Sequence, residues 1–183
     1  MSPDRRRKPD VDFVERVMEQ FVADFPEAVV IGGWATYLRT RTAKSHDIDV
    51  IVDHATLGQR LRVPVEALIR HTERIGRAKV LAAEAQFVAK MAALLDRPDS
   101  LPGQKDREEL WALVSSDEPL DFDVVAEILE GSGWDAVKRR SLLEETFGLL
   151  EETPGLRKTD RSKLRRCRRC ARPRGGTGAL RQT

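Results

Sequence analysis

Asp47 and Asp49 stand two positions apart in the run Asp47-Ile48-Asp49-Val50-Ile51-Val52, which alternates and then turns apolar, as a strand does with one end at a polar site. Alternate residues of a strand share a face, so the two carboxylates project together, close enough to hold one hard divalent cation. Mg²⁺ takes oxygen ligands and commonly keeps substrate phosphates as partners, so such a pair suits nucleotide chemistry. The competing reading is a solvated strand end, for Asp-x-Asp is common. A second feature lies upstream. Ala28 to Ile31 is a short apolar run closed by Gly32-Gly33, the pattern of a buried strand feeding a tight turn. Glycine lets backbone N–H groups approach a phosphate closely, and the N-terminus of a following helix favours negative charge. Without the carboxylates, the same turn reads as a plain strand-to-helix connection. Ser45 has two readings, a hydrogen bond to a phosphate oxygen or a cap on the strand. His46, between Ser45 and Asp47, faces the opposite side of the strand and reads as structural.

The elements that must position these groups are legible in outline. A helix begins near Asp12, where Asp12 and Glu15 have capping-box spacing and Phe13, Val14, Val17, Met18, Phe21 and Val22 recur at helical intervals. Pro26 ends it. A short helix from Trp34 to about Leu38 follows the Gly-Gly turn. Residues 54–75 read as helical segments interrupted at Pro64, and Ala78 to Leu81 reads as a third strand. Phe87, Val88, Met91, Leu94 and Leu95 share one face of a helix that stops at Asp96-Arg97-Pro98. Lys90 sits on the margin of that face, where a lysine points into a site or snorkels to water. Pro102-Gly103 reads as a loop. Three further helices carry Leu110 to Val114, Phe122 to Leu129 and Leu143 to Leu150. The fold class expected is therefore α+β, a small mixed sheet packed with helices and followed by a helical C-terminal half.

Charge is unevenly distributed. Residues 154–183 hold eleven Lys or Arg against Asp160 alone, a segment of +10, so of the overall +2 the remaining 153 residues carry −8. The basic pI comes from that segment and gives no ground for a basic catalytic groove. From Thr153 onward Arg, Gly and Pro dominate, a composition expected to leave 153–183 as a disordered Arg-rich tail behind a domain spanning 12–152. Residues 1–11 form a basic arm; no apolar stretch follows Arg5-Arg6-Arg7-Lys8 to make a secretory signal. No apolar run approaches the roughly 20 residues that cross a bilayer, so the expectation is a cytoplasmic chain with no membrane partner. Cys167-x-x-Cys170 is half a zinc site at most, and free thiols are the expectation. The Arg-rich segment is suited to weak, salt-sensitive contact with nucleic-acid phosphates.

Two blocks together carry a resemblance. Ile31-Gly32-Gly33-Trp34-Ala35 with Lys44-Ser45-His46-Asp47-Ile48-Asp49-Val50 resembles the signature of the DNA polymerase beta nucleotidyltransferase superfamily. The segments Phe87 to Leu94 and Lys105-Asp106-Arg107-Glu108-Glu109-Leu110 are similar to the lysine helix and Lys-Asp motif of its AbiEii-like group, which includes toxin components of toxin/antitoxin pairs. The resemblance covers roughly residues 12–130. It implies Mg²⁺ on Asp47 and Asp49, nucleotide phosphates held by Gly32, Gly33 and Ser45, and a pocket completed by Lys90 and Asp106. The activity implied is transfer of a nucleoside monophosphate from a nucleoside triphosphate to an RNA such as tRNA, a protein or a small-molecule hydroxyl, with a cognate antitoxin or toxin as partner. The alternative is an inactive nucleotidyltransferase fold serving as a binding subunit or antitoxin. The family commonly places a third carboxylate on a following strand; between Asp53 and Lys79 the only acidic residues are Glu66 and Glu73, in helix-like sequence.

Overall fold

The computed structural model describes residues 10–41, 45–51, 63–131 and 133–171. Helix α1 (Val11–Asp24) is capped by Asp10, whose carboxylate accepts the Asp12 N–H at 3.2 Å, two residues earlier than the Asp12/Glu15 spacing suggests. Strand β1 (Val29–Ile31) runs into α2 (Gly32–Thr40), which starts at the first glycine rather than at Trp34. Strand β2 is Asp49–Ile51, so Asp47 precedes the strand in a bend instead of opening it. Helix α3 (Val65–Ile69) follows Pro64. Residues 52–62, including most of the segment read as helical before Pro64, lie outside the described residues.

Strands β3 (Thr72–Ile75) and β4 (Ala78–Leu81) form a hairpin across Gly76-Arg77. The helical reading of 72–75 is thus corrected. Gly76 takes φ +60°, a turn conformation that suits a hairpin and breaks a helix, and Thr72 and Ile75 then pair with Leu81 and Ala78. The sheet order is β2-β1-β4-β3, with β1 and β4 parallel and both outer pairs antiparallel. The sheet is mixed, as expected, and the fold is α+β.

Alternation along the strands divides the core in two. Val29, Ile51 and Leu81 join the larger cluster, with Phe87, Leu110 and Phe147. Val30 and Val80 turn to the other side and meet Val14, Met18, Val22, Trp34 and Ala35 of α1 and α2. The larger side is built by α4 (Ala83–Asp96), α5 (Leu101–Ser115), α6 (Phe122–Gly131) and α7 (Ala136–Glu151), the expected helical half. Pro102-Gly103 is not a loop. Ser100 caps α5 by accepting the Gly103 N–H at 3.0 Å, and Pro102 fills the first turn, where its missing N–H costs nothing.

The largest departure lies in the Arg-rich segment. Residues assigned from composition to a disordered tail form helix α8 (Lys158–Cys170), packed on α7 and α5. Leu164 is wholly buried, and Cys167 and Ala171 pack beside it at helical spacing, a narrow apolar stripe that the arginines mask in any average of composition. Arg168 donates through Nε to Glu144 at 2.6 Å and approaches Glu151 at 3.4 Å, so the acidic body also holds the helix by charge. Both cysteines are free. Burial and the neighbouring Cys170 hold the Cys167 thiol above its ordinary range. Residues 1–9 of the basic arm and 172–183 lie outside the described residues. No described helix is long and apolar enough to cross a membrane.

Candidate functional site

The β1–α2 turn is where the two sequence blocks meet. Ile31 pairs with Asp49 across the antiparallel β1/β2 ladder, which brings the Asp49 carboxylate over the next residue, Gly32. Gly32 has φ +65°, and a Cβ built there falls 2.4 Å from Asp49 Oδ2. Both observations require glycine. One demands the left-handed region, and the other demands that nothing occupy the space the carboxylate fills. Gly33 is crowded on its other side: a Cβ would stand 2.9 Å from the Ser45 Cβ and 3.3 Å from Glu109 Oε1. The two glycines thus bring backbone at the start of α2 against Asp49, Ser45 and Glu109.

Ser45 is buried, and its Oγ accepts from Lys105 Nζ at 3.0 Å and from the Asp47 N–H at 3.4 Å. Of its two readings, the structure displays the capping contact, made to the bend that carries Asp47. His46 is half-buried in the same bend, ahead of the strand. Asp47 and Asp49 are both exposed. Among the described residues no group of three or more His, Cys, Asp or Glu side chains is placed to hold a metal. Residues 42–44, including Lys44, lie outside the described residues.

Behind the turn lies a buried polar cluster that joins α2, α4 and α5. Lys90 neither snorkels nor stands free: its Nζ donates to Asp106 Oδ1 at 3.0 Å and sits 2.7 Å from Glu109 Oε2. Burial opposes the charge on this ammonium, but attraction to Glu109 and Asp106, with the hydrogen bonds they accept, outweighs it, and the Lys90 pKa is raised above the ordinary lysine value. Asp106 is nearly inaccessible and spends its second oxygen on Arg97, which donates from Nε at 3.1 Å and from Nη2 at 2.8 Å. Glu109 accepts the Thr36 hydroxyl at 3.1 Å, and Thr36 in turn accepts from Gln86 Nε2. Every sequence-derived site residue therefore belongs to one chain of contacts, from Asp49 and Gly32 through Gly33, Ser45 and Lys105 to Glu109, Lys90 and Asp106; Asp47 joins it through Ser45.

The next described strand after Asp49, β3, lies at the far edge of the sheet, where Glu73 pairs with Arg39, and brings no carboxylate to the turn; the further buried carboxylate beside Gly33 is Glu109. Glu109 comes instead from a helix late in the chain. It is buried, and its Oε1 has no hydrogen-bond partner, although Lys105 Nζ stands 3.9 Å away. The signal was its spacing, three residues after Asp106 and four after Lys105, which sets all three on one helical face. Thr36 and Gln86 gave no comparable signal, since nothing in their local sequence marks them as partners across 50 positions.

The donor set can hold a hydrated divalent cation at the exposed carboxylates and an anion against the Gly32-Gly33 backbone, where a nine-residue helix begins. No protein-family model, no curated protein and no solved structure matches this chain.

Proposed function

We propose that the chain is a metal-dependent nucleotidyltransferase that moves a nucleoside monophosphate from a nucleoside triphosphate to an acceptor hydroxyl. The observation that carries this reading is the convergence at Gly32. A glycine turn at positive φ lies directly beneath the Asp49 carboxylate, and Asp47 is held two residues away by Ser45. The orphaned Oε1 of Glu109 beside Gly33 adds a buried acceptor at the same turn.

In this reading Asp47 and Asp49 hold Mg²⁺, which when bound neutralises phosphate charge as it develops in the transition state. Gly32 and Gly33 present backbone N–H groups at the start of α2 to the triphosphate. The acceptor hydroxyl oxygen forms a bond to the α-phosphorus as its proton passes to solvent, the bond from that phosphorus to the bridging oxygen breaks, and pyrophosphate leaves. Lys105 is half-exposed at the mouth of the cluster and offers its ammonium to a phosphate oxygen. Lys90 and Asp106 act behind the reacting groups: Lys90 is already committed to two carboxylates, and it fixes Glu109 and hence the packing of α5 against Gly33. They are positioning residues, a narrower role than the sequence resemblance implies.

A second reading, an inactive fold acting as a binding subunit or antitoxin, draws support from the two-carboxylate site, since no described group of three metal-binding side chains exists. The readings separate in one experiment. The purified chain is incubated with each labelled nucleoside triphosphate, Mg²⁺, and total tRNA or cell extract, beside Asp47→Ala and Asp49→Ala. Transfer that disappears in both variants is expected; transfer that survives both substitutions sinks the assigned site, and absence of any transfer or nucleotide binding favours the inactive reading.

A further inference from the structure

Helix α8 divides its residues by function around the helix. Leu164, Cys167 and Ala171 face the core, Arg168 is tied to Glu144 and Glu151, and Lys163 Nζ donates to the Ser115 carbonyl at 3.1 Å. At 100° per residue, Lys158, Ser162, Arg165, Arg166 and Arg169 fall on the side away from Leu164. All five are exposed, and none of the four cations is ion-paired to a described residue. From Lys158 to Arg169 the face is about 16 Å long at 1.5 Å per residue, the length of about five phosphates of one strand. Arg165 and Arg169 also line a groove of about 540 Å³ with Ser162, Arg168 and Glu151.

We propose that this outward face of α8 docks the phosphate backbone of an RNA; the choice of RNA rests on an RNA being the hydroxyl acceptor of the reaction proposed above, whereas the docking surface does not. An ordered, docked helix changes what the charge can do. A disordered basic tail loses chain entropy on binding, whereas α8 presents its cations already fixed by Leu164 and Arg168. Of the eleven cations after residue 153, nine are arginine, whose planar fork matches phosphate oxygens better than a lysine ammonium does. The outward face carries no large apolar residue to enter a bilayer, which disfavours a membrane surface. The remainder of the chain is at −8 even with its basic arm Arg5–Lys8 counted, so α8 and the sequence after it hold the largest excess of positive charge to attract a polyanion.

The test uses the full chain and fluorescence anisotropy with a labelled single-stranded RNA, in the absence of nucleotide and Mg²⁺, over a series of salt concentrations. The variant combines Lys158→Gln, Arg165→Gln, Arg166→Gln and Arg169→Gln, with circular dichroism and the denaturation midpoint confirming that α8 remains docked. Each phosphate contact contributes about 0.7 to the slope of log affinity against log salt for single strands, so the variant's slope is expected to be shallower by about 3 and its affinity at least about tenfold lower. An unchanged slope with affinity within about twofold overturns the proposal, as does equal binding to phosphatidylserine vesicles. A duplex DNA bound more tightly than RNA overturns the choice of RNA. Asp47→Ala is expected to bind RNA at least as tightly as the parent, so loss of transfer chemistry and loss of docking are read separately.

Discussion

Replacing Lys90 with Met tests the buried cluster that sets α5 against the glycine turn. The substitution keeps the apolar stem and removes one charge from a group in which the Lys90, Asp106 and Glu109 side chains are 15%, 3% and 10% exposed. Asp106 keeps Arg97, but Glu109 is left with the Thr36 hydroxyl and with Lys105 at 3.9 Å, which is half in solvent. Breaking a buried pair by removing one partner costs about 3–5 kcal/mol, because the remaining charge stays desolvated. For a chain of this size that corresponds to a fall of roughly 6–20 °C in melting temperature. Chemical denaturation of Lys90→Met, Glu109→Gln and the double variant gives the coupling. The double variant is expected to be more stable than the sum of the single losses by about 1–3 kcal/mol. The pH dependence follows from the raised Lys90 pKa. A cation whose folded pKa exceeds its unfolded one stabilises fully below the unfolded value and loses that contribution as pH rises through the folded one. The stability gap between parent and Lys90→Met is therefore flat through neutral pH and narrows only above the ordinary value of 10.5. A cost below about 1 kcal/mol, additive single losses, or a gap that closes near neutrality would each show that Lys90 behaves as a screened surface charge.

Gly32→Ala is expected to cost about 1–2 kcal/mol for its positive φ and, by driving a Cβ into Asp49 Oδ2, to weaken Mg²⁺-dependent nucleotide binding by at least tenfold (a drop of about 1.4 kcal/mol). Gly76→Ala is the control, since Gly76 has φ +60° with nothing within 4 Å of its Cβ; it carries the strain without the displacement, and equal binding losses in the two variants would remove the argument for the turn. Leu164→Ala is expected to cost about 2–4 kcal/mol in chemical denaturation, whereas a helix that contributes nothing to the body would leave the midpoint unmoved. Arg168→Ala is expected to cost no more than about 1 kcal/mol, and less in high salt, because its pairs with Glu144 and Glu151 are partly exposed.

What could be read in the sequence was what local pattern controls. The Val29–Ile31 and Ala78–Leu81 strands, the Gly-Gly turn and the apolar faces of α4, α6 and α7 all announce themselves through period and punctuation within about ten residues. The grouping of Gly32, Gly33, Ser45 and Asp49 was legible through the resemblance carried by the two blocks together, since local spacing left Ser45 with two readings. Three things were not. The β3 strand has only four residues, two of them charged, and its identity comes from pairing with β4 rather than from its own pattern. Helix α8 depends on a single fully buried leucine under a run of arginines, so composition outweighed a weak period. The Lys90–Glu109–Thr36–Gln86 cluster is tertiary: its members come from α2, α4 and α5, and no local rule links them.

Helix α5 connects the two proposals physically. Its middle carries Asp106 and Glu109 into the cluster behind the glycine turn, and its last residue, Ser115, gives its carbonyl to Lys163 of α8. Six residues, about 9 Å of helix, separate Glu109 from that carbonyl. A body at −8 repels an RNA acceptor at long range, and the exposed Asp47 and Asp49 add to that repulsion at the turn itself. A transfer reaction on RNA therefore needs positive charge placed near the site without entering it. Helix α8 meets that need because its cations point outward while Leu164 anchors it in the core, Arg168 ties it to α7, and Lys163 ties it to α5, the helix that carries Glu109. On this argument the basic segment and the carboxylate pair are two halves of one electrostatic arrangement, one attracting the acceptor backbone and the other holding the cation that neutralises the triphosphate. Detaching α8 by Leu164→Ala should then raise the acceptor concentration required for transfer more than it lowers the maximal rate.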